Sequence, residues 1–334
     1  MNKKSLIGVF IAILVIIYLM GPKPESPIYN TQLIPVNTNL QILFDSINNV
    51  ELKNPDIKLN NQARIIWADS TYHQTEWAMV YLHGFSASQM EGDPIHRLIA
   101  QKYGMNLYLA RLSDHGLVSD SALYLVTPDR LWESSKLALS IGHQLGKKVI
   151  IMSTSTGGTL ALKLAEQFPN QVDALINYSP NVKINNPLAS LMNNPWGNTL
   201  LQTQAENGFF ITSGSKDSII SQYWNTRYRT EALTQLEELV ESTMVEKVFK
   251  SIKCPSLTLA YYKDEEHQDP TVKVSAMEWM HQLLGTEEHQ KRYINLPNVA
   301  EHPLASGLKS KDLQSVEVQT SLFLEQVLKI NALK

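Results

Sequence analysis

A single cysteine, Cys254, excludes an intramolecular disulfide and any cysteine-rich zinc site. Neither sign of charge dominates. With 29 Lys and Arg against 32 Asp and Glu, a formal charge of -3, the chain lacks the basic footprint of a nucleic-acid partner. Beyond the N-terminus there is no apolar run long enough to cross a membrane, which excludes a multi-pass membrane protein. Internal repeats and low-complexity tracts are also missing. What is present, 43% apolar and 18% charged residues, suffices for a sizeable core. At roughly 150 residues per domain, 334 residues make two domains or one large α/β domain.

The N-terminus stands apart from the rest. Lys3 and Lys4 precede an uncharged run rich in Ile, Leu and Val over residues 5–21. Its length lies at the lower end of the roughly 17 to 25 residues that cross a bilayer as a helix. Lysines before the run, against only Lys23 just after it, favour an N-terminus inside and the remainder outside. Tyr18-Leu19-Met20-Gly21 offers no small-x-small cleavage site. The expectation is therefore an uncleaved membrane anchor with an extracytoplasmic domain; the alternative is a secreted or periplasmic protein after signal cleavage. Pro22, Pro24 and Pro27 read as a stiff linker, which sets residues 1–27 apart.

From residue 28, short apolar β-branched runs alternate with helical patterns. Residues 63–68, 77–82, 106–112, 149–152, 174–178, 256–262 and 292–296 read as strands. Asp93-Pro94 reads as a cap and first helical position, with Ile95, Leu98 and Ile99 facing inward. Thr127-Pro128 repeats that start for a helix running to Gly146. Further helices are expected near residues 159–167, 275–284 and 311–329. The pattern predicts an α/β fold: a mostly parallel central sheet with helices on both faces. After Ser179-Pro180 the alternation stops for about 70 residues, unusually long for a compact sheet. This stretch holds an expected helix over 230–249, lined by Leu233, Leu236, Val240, Met244 and Val248. Residues 181–253 thus read as a helical cap inserted between two core parts, 28–180 and 254–334. Its expected place is over the carboxyl ends of the strands, where crevices form.

Ser155 directly follows a buried strand and precedes a helix, among the small residues Ser153, Gly157 and Gly158. A nucleophile in a tight strand-to-helix turn needs such neighbours, and the helix aims its free amides at developing negative charge. A phosphate-binding loop would need a Gly-Lys-Ser/Thr ending, and no lysine follows. His83-Gly84-Phe85 follows the strand ending at Leu82, so the Phe85 amide can join that of Thr156 in an oxyanion hole. Among nine histidines, His302 lies in a loop after the last expected strand and reaches the same end of the sheet as Ser155. His289 sits at the opposite end, His143 and His281 lie in helices, and His73 and His267 lie in polar loops. His96 reads as structural, and His115, the strongest competitor, as loop-shaping. The carboxylate that orients His302 is Asp269, with Asp264 nearer the strand end kept open.

Together these residues resemble the α/β-hydrolase family, in its lipase, carboxylesterase and monoacylglycerol-lipase-like branch with a helical cap. Tyr81-Leu82-His83-Gly84-Phe85 is similar to the family's oxyanion segment, and Arg111-Leu112-Ser113-Asp114-His115-Gly116 to its loop after the next strand. Ser153-Thr154-Ser155-Thr156-Gly157-Gly158 is similar to the nucleophile elbow, Asp269-Pro270-Thr271-Val272 to the acid loop, and His302 to the histidine loop. The resemblance covers about residues 60–330 and implies a serine hydrolase cleaving carboxylic esters through an acyl-enzyme. It implies no metal or cofactor, and a small-molecule or lipid ester as substrate. Alternatives on the same residues are an amide, peptide or C–C bond hydrolase, or a binding protein whose hydrolase fold has lost catalysis. Two departures stand out. Ser153 replaces the elbow's first glycine, where distortion is expected, and the acid loop is longer than usual.

Overall fold

Seven of the apolar runs assemble into one sheet in a computed structural model that describes residues 3–69, 72–119 and 122–333. The first elements are α1 (Lys3–Leu19), α2 (Leu40–Leu52), β1 (Arg64–Ile66), β2 (Thr75–Leu82), α3 (Ile95–Lys102) and β3 (Asn106–Leu109). There follow α4 (Pro128–Leu145), β4 (Gly146–Thr154), α5 (Thr156–Gln167) and β5 (Ala174–Tyr178). The inserted stretch contributes α6 (Gly197–Gln204), β6 (Phe209–Ile211), α7 (Ser218–Tyr223), β7 (Arg227–Arg229), α8 (Glu231–Thr243) and α9 (Glu246–Ser251). The chain closes with β8 (Ser256–Tyr261), α10 (Val274–Leu283), β9 (Lys291–Leu296) and α11 (Leu313–Gln326). The sheet order is β1-β3-β2-β4-β5-β8-β9, with β1 antiparallel to β3 and every other neighbour parallel.

Parallel strands need crossover helices, and these cover both faces of the sheet, so the central strands are apolar without alternation. In β2 and β4, Val80, Leu82, Val149 and Ile151 pack towards α4 and α5. Their neighbours Met79, Tyr81, Ile150 and Met152 point the other way, into a second core with residues of α3 and α11. At the start of α4, Thr127 accepts the Arg130 amide and Pro128 takes the first turn, as Thr-Pro predicts.

The parallel start at Asp93-Pro94 does not hold. Pro94 is the residue before α3, no side chain caps that helix, and the Asp93 carboxylate instead pairs with Arg97 Nε at 2.6 Å. The buried stripe of α3 is Ile95, His96, Ile99 and Ala100, which turns Leu98 out to solvent. The helix expected over 230–249 is two helices. Met244 and Val245 leave helical geometry between α8 and α9, although Leu236, Val240, Met244 and Val248 stay buried along one side. The insertion also holds an antiparallel pair, β6 and β7, whose three-residue strands are too short to show a period in sequence.

The membrane anchor expected at the N-terminus is not supported. Helix α1 has 17 described residues and no buried side chain. Among the described residues no helix is long and apolar enough to cross a membrane. The far end of α1 is tied to the insertion, where the Trp196 indole donates to the Ile17 carbonyl at 3.1 Å and the Trp196 amide to that of Pro22 at 3.0 Å.

Candidate active site

Ser155 occupies the single residue between β4 and α5, at φ 54° and ψ -119°. A side chain in this left-handed region is strained and persists only where its surroundings over-determine it. Here they do: the Ser155 amide donates to the Tyr178 carbonyl at 3.1 Å, and the Ser155 carbonyl accepts from Gly158 and Asn181. The turn is also too tight for side chains nearby. A Cβ on Gly157 would stand 2.0 Å from the Leu82 carbonyl oxygen, and one on Gly84 would stand 2.8 Å from Ser155 Cβ. The turn thus lifts the Ser155 side chain to the carboxyl end of the sheet, beside the start of α5.

His302 arrives from the loop after β9, and Asp269 from the loop after β8. The His302 ring nitrogen Nδ1 lies 2.7 Å from Asp269 Oδ2, while Asp269 Oδ1 accepts the amides of Thr271 and Val272 at 2.9 and 3.0 Å. Asp269 is fully buried; that desolvation opposes ionisation, but the His302 charge and the bonds from His302, Val272 and Thr271 outweigh it, leaving the carboxyl below its ordinary value. For His302, burial disfavours the charged ring, while Asp269, Glu91 and Glu301 together carry it above the ordinary imidazole value. Its other nitrogen, Nε2, is buried without a protein partner, and both His302 and Ser155 line one cavity of about 560 Å³. Asp264 is elsewhere: exposed, it accepts from the ring and amide of His267 in its own loop.

The segment after β2 is held by two neutral imidazoles. His83 Nε2 accepts the Leu112 amide at 3.1 Å and Nδ1 donates to the Gly84 carbonyl at 2.8 Å; burial pushes its pKa down to about 3. His115 contacts Ser113 O and lays its ring edge-on against Phe85, and burial takes it down to about 4. Both shape the loop. The Phe85 amide has no protein acceptor among the described residues, and Thr156 opens α5, whose first amides have none within the helix. Both residues line the cavity, together with Phe210 and Tyr228 of the insertion.

No protein-family model and no curated protein matches the sequence, whereas solved structures do. One belongs to the work on LipS and LipT, two metagenome-derived lipolytic enzymes: TM-score 0.64, 17% identity, covering 80% of this chain and 99% of that one. A monoacylglycerol lipase of Paleococcus ferrophilus superposes with TM-score 0.57 at 16% identity, covering 78% and 97%. A soluble variant of monoglyceride lipase from Saccharomyces cerevisiae gives 0.54 at 13%, covering 79% and 91%. The chain has the α/β-hydrolase fold. At these identities the likeness speaks for the fold alone, and what the site does rests on its own geometry.

Two features of this site were not legible as site features in sequence. Ser153, at the position of the elbow's first glycine, is buried and its hydroxyl donates to Asn177 Oδ1 of β5 at 2.8 Å. The register that sets Ser153 opposite Asn177 is a property of the sheet. The second feature is Glu91, which lines the cavity and is 3% exposed. Its carboxylate accepts the Gly84 amide at 2.5 Å, and burial pushes its carboxyl up to about 7 against the pull of His302 and its donors. In sequence Glu91 is one acid in a polar loop, with nothing to separate it from solvated ones.

Proposed function

We propose that this protein is a serine hydrolase that cleaves carboxylic esters. Ser155 attacks the ester carbonyl, His302 Nε2 takes its proton, Asp269 fixes the ring through Nδ1, and the amides of Phe85 and Thr156 receive the oxyanion. His302 then protonates the leaving alcohol, and water, activated by the same ring, releases the acid from Ser155. The observation that carries this reading is the buried Asp269–His302 contact at 2.7 Å, with Nε2 left free beside the strained elbow that bears Ser155. Lipases and esterases among the structural neighbours agree with it. Phe85, Phe210 and Tyr228 around the cavity suit an ester with an apolar acyl or aryl group.

The test is labelling of the full chain with a fluorophosphonate probe, which reacts with activated serines, followed by mapping of the modified residue. Modification at Ser155, lost in Ser155→Ala, together with turnover of p-nitrophenyl esters, is the expected result. An unlabelled wild-type chain would overturn the assignment.

A further inference from the structure

Glu91 is a buried acid that the reaction above does not use. Its turn lies against three parts of the site. Towards the oxyanion segment, its carboxylate holds the Gly84 amide, one residue before Phe85, and a Cβ on Gly84 would meet both carboxylate oxygens at 2.8 and 2.9 Å. Towards the insertion, Trp224 lines the cavity beside Glu91, while the adjacent Asn225 amide donates to the Ser86 carbonyl at 2.7 Å. Towards the histidine loop, Ser306 Oγ donates to the Met90 carbonyl at 3.0 Å, and the Gly307 amide to that of Asp93 at 2.7 Å.

We propose that Glu91 is a positioning residue of the active site, clamping the oxyanion segment through the Gly84 amide from a turn that also meets the histidine loop. This rests on the hydrolase reading. A carboxylate there does two opposed things. It fixes the peptide that precedes the Phe85 amide, and its charge favours imidazolium at His302 while opposing negative charge at the oxyanion. The ionisable groups facing this region are His302 and Glu301 of the histidine loop, Asp269 behind His302, Tyr81 of β2, and Asp93 on the same turn as Glu91. Of these, His302 and Glu91 each favour the charged form of the other, so Glu91 bears on where the acid limb of the rate profile falls.

The test compares Glu91→Gln, which keeps an oxygen for the Gly84 amide without the charge, with Glu91→Ala, which removes both. In the full chain, Glu91→Ala is expected to lower kcat for p-nitrophenyl esters roughly 10-fold or more, with a smaller change in KM. Glu91→Gln is expected to restore part of that loss. It should also move the acid limb of kcat/KM down, because the ionised fraction of Glu91 no longer favours imidazolium at His302. A merely structural role moves stability without moving that limb. NMR titration of the His302 ring and the Gly84 amide in wild type and Glu91→Gln does not depend on turnover. A lower His302 midpoint and a shifted Gly84 amide signal support the clamp; unchanged signals overturn it, whether or not Ser155 proves to be the nucleophile. Wild-type kcat and an unmoved acid limb in both variants overturn it equally.

Discussion

The core sheet and the cap are built on different terms. In β2, β4, β5 and β8 almost every side chain is shut away from solvent, whereas in the outer cap α6 buries only Gly197, α7 only Ile220, and β6 nothing. The inner helices of the cap, α8 and α9, pack into the core through Leu236, Leu239, Val240, Val248 and Phe249, whereas the outer part is tied down by polar contacts. Asn225 donates to the Ser86 and Leu117 carbonyls, and Lys58 Nζ to those of Ser221 and Trp224. Apolar burial makes a region cooperative, and a few hydrogen bonds alone do not. The difference separates two tasks: the sheet holds Ser155 in a strained turn, and the outer cap supplies Phe210, Ile211 and Tyr228 to the cavity wall.

If that division is right, changes at the strand ends remove chemistry, and changes in the cap alter access. Ser155→Ala should cut ester turnover by roughly 10³-fold or more and abolish probe labelling, while leaving the melting temperature near wild type. Asp269→Asn should lower kcat by about 10³ to 10⁴, since the amide no longer holds the required His302 tautomer. Comparable turnover in either variant breaks the comparison at its catalytic side. In the sheet, Ile151→Ala should cost about 2 to 5 kcal/mol in denaturant unfolding, because the cavity forms in a fully buried strand. In the cap, Ile211→Ala should stay within about 0.5 kcal/mol, as Ile211 is already 38% exposed. Equal costs at these two positions would show the cap to be as cooperative as the core.

The pH dependence sharpens the same point. The catalytic base must be neutral, and Asp269, Glu91 and Glu301 raise the His302 pKa above its ordinary value. The acid limb of kcat/KM should therefore lie above the ordinary imidazole pKa, and activity is lost as pH falls through it. Removing Asp269 should move that limb down. An uncharged cap substitution in the cavity wall, such as Ile211→Ala, should leave it in place while changing KM.

What could be read from the chain tracks the length over which a pattern repeats. The strands over β4 and β5 and the helix opening at Thr127-Pro128 carry signals complete within their own residues. The elbow is equally local, because strand, small residues and helix stand side by side in the chain. Choosing between Asp269 and Asp264 needed the path of the loop after β8, since acids in a polar loop look alike until one is folded inward. The Met244–Val245 break is set by how α8 and α9 pack, and the β6–β7 pair lies below the length at which alternation shows.

Residue order alone was enough for the layered α/β architecture and for a serine at a strand-to-helix turn, because backbone preference and hydrophobic period act between near neighbours. Folding in three dimensions decided which carboxylate meets His302, how Ser153 finds Asn177, and that Glu91 sits beside the Gly84 amide. Those contacts join residues 7 to 33 positions apart across separate elements. Their energies depend on exclusion from water, which no single stretch of chain contains.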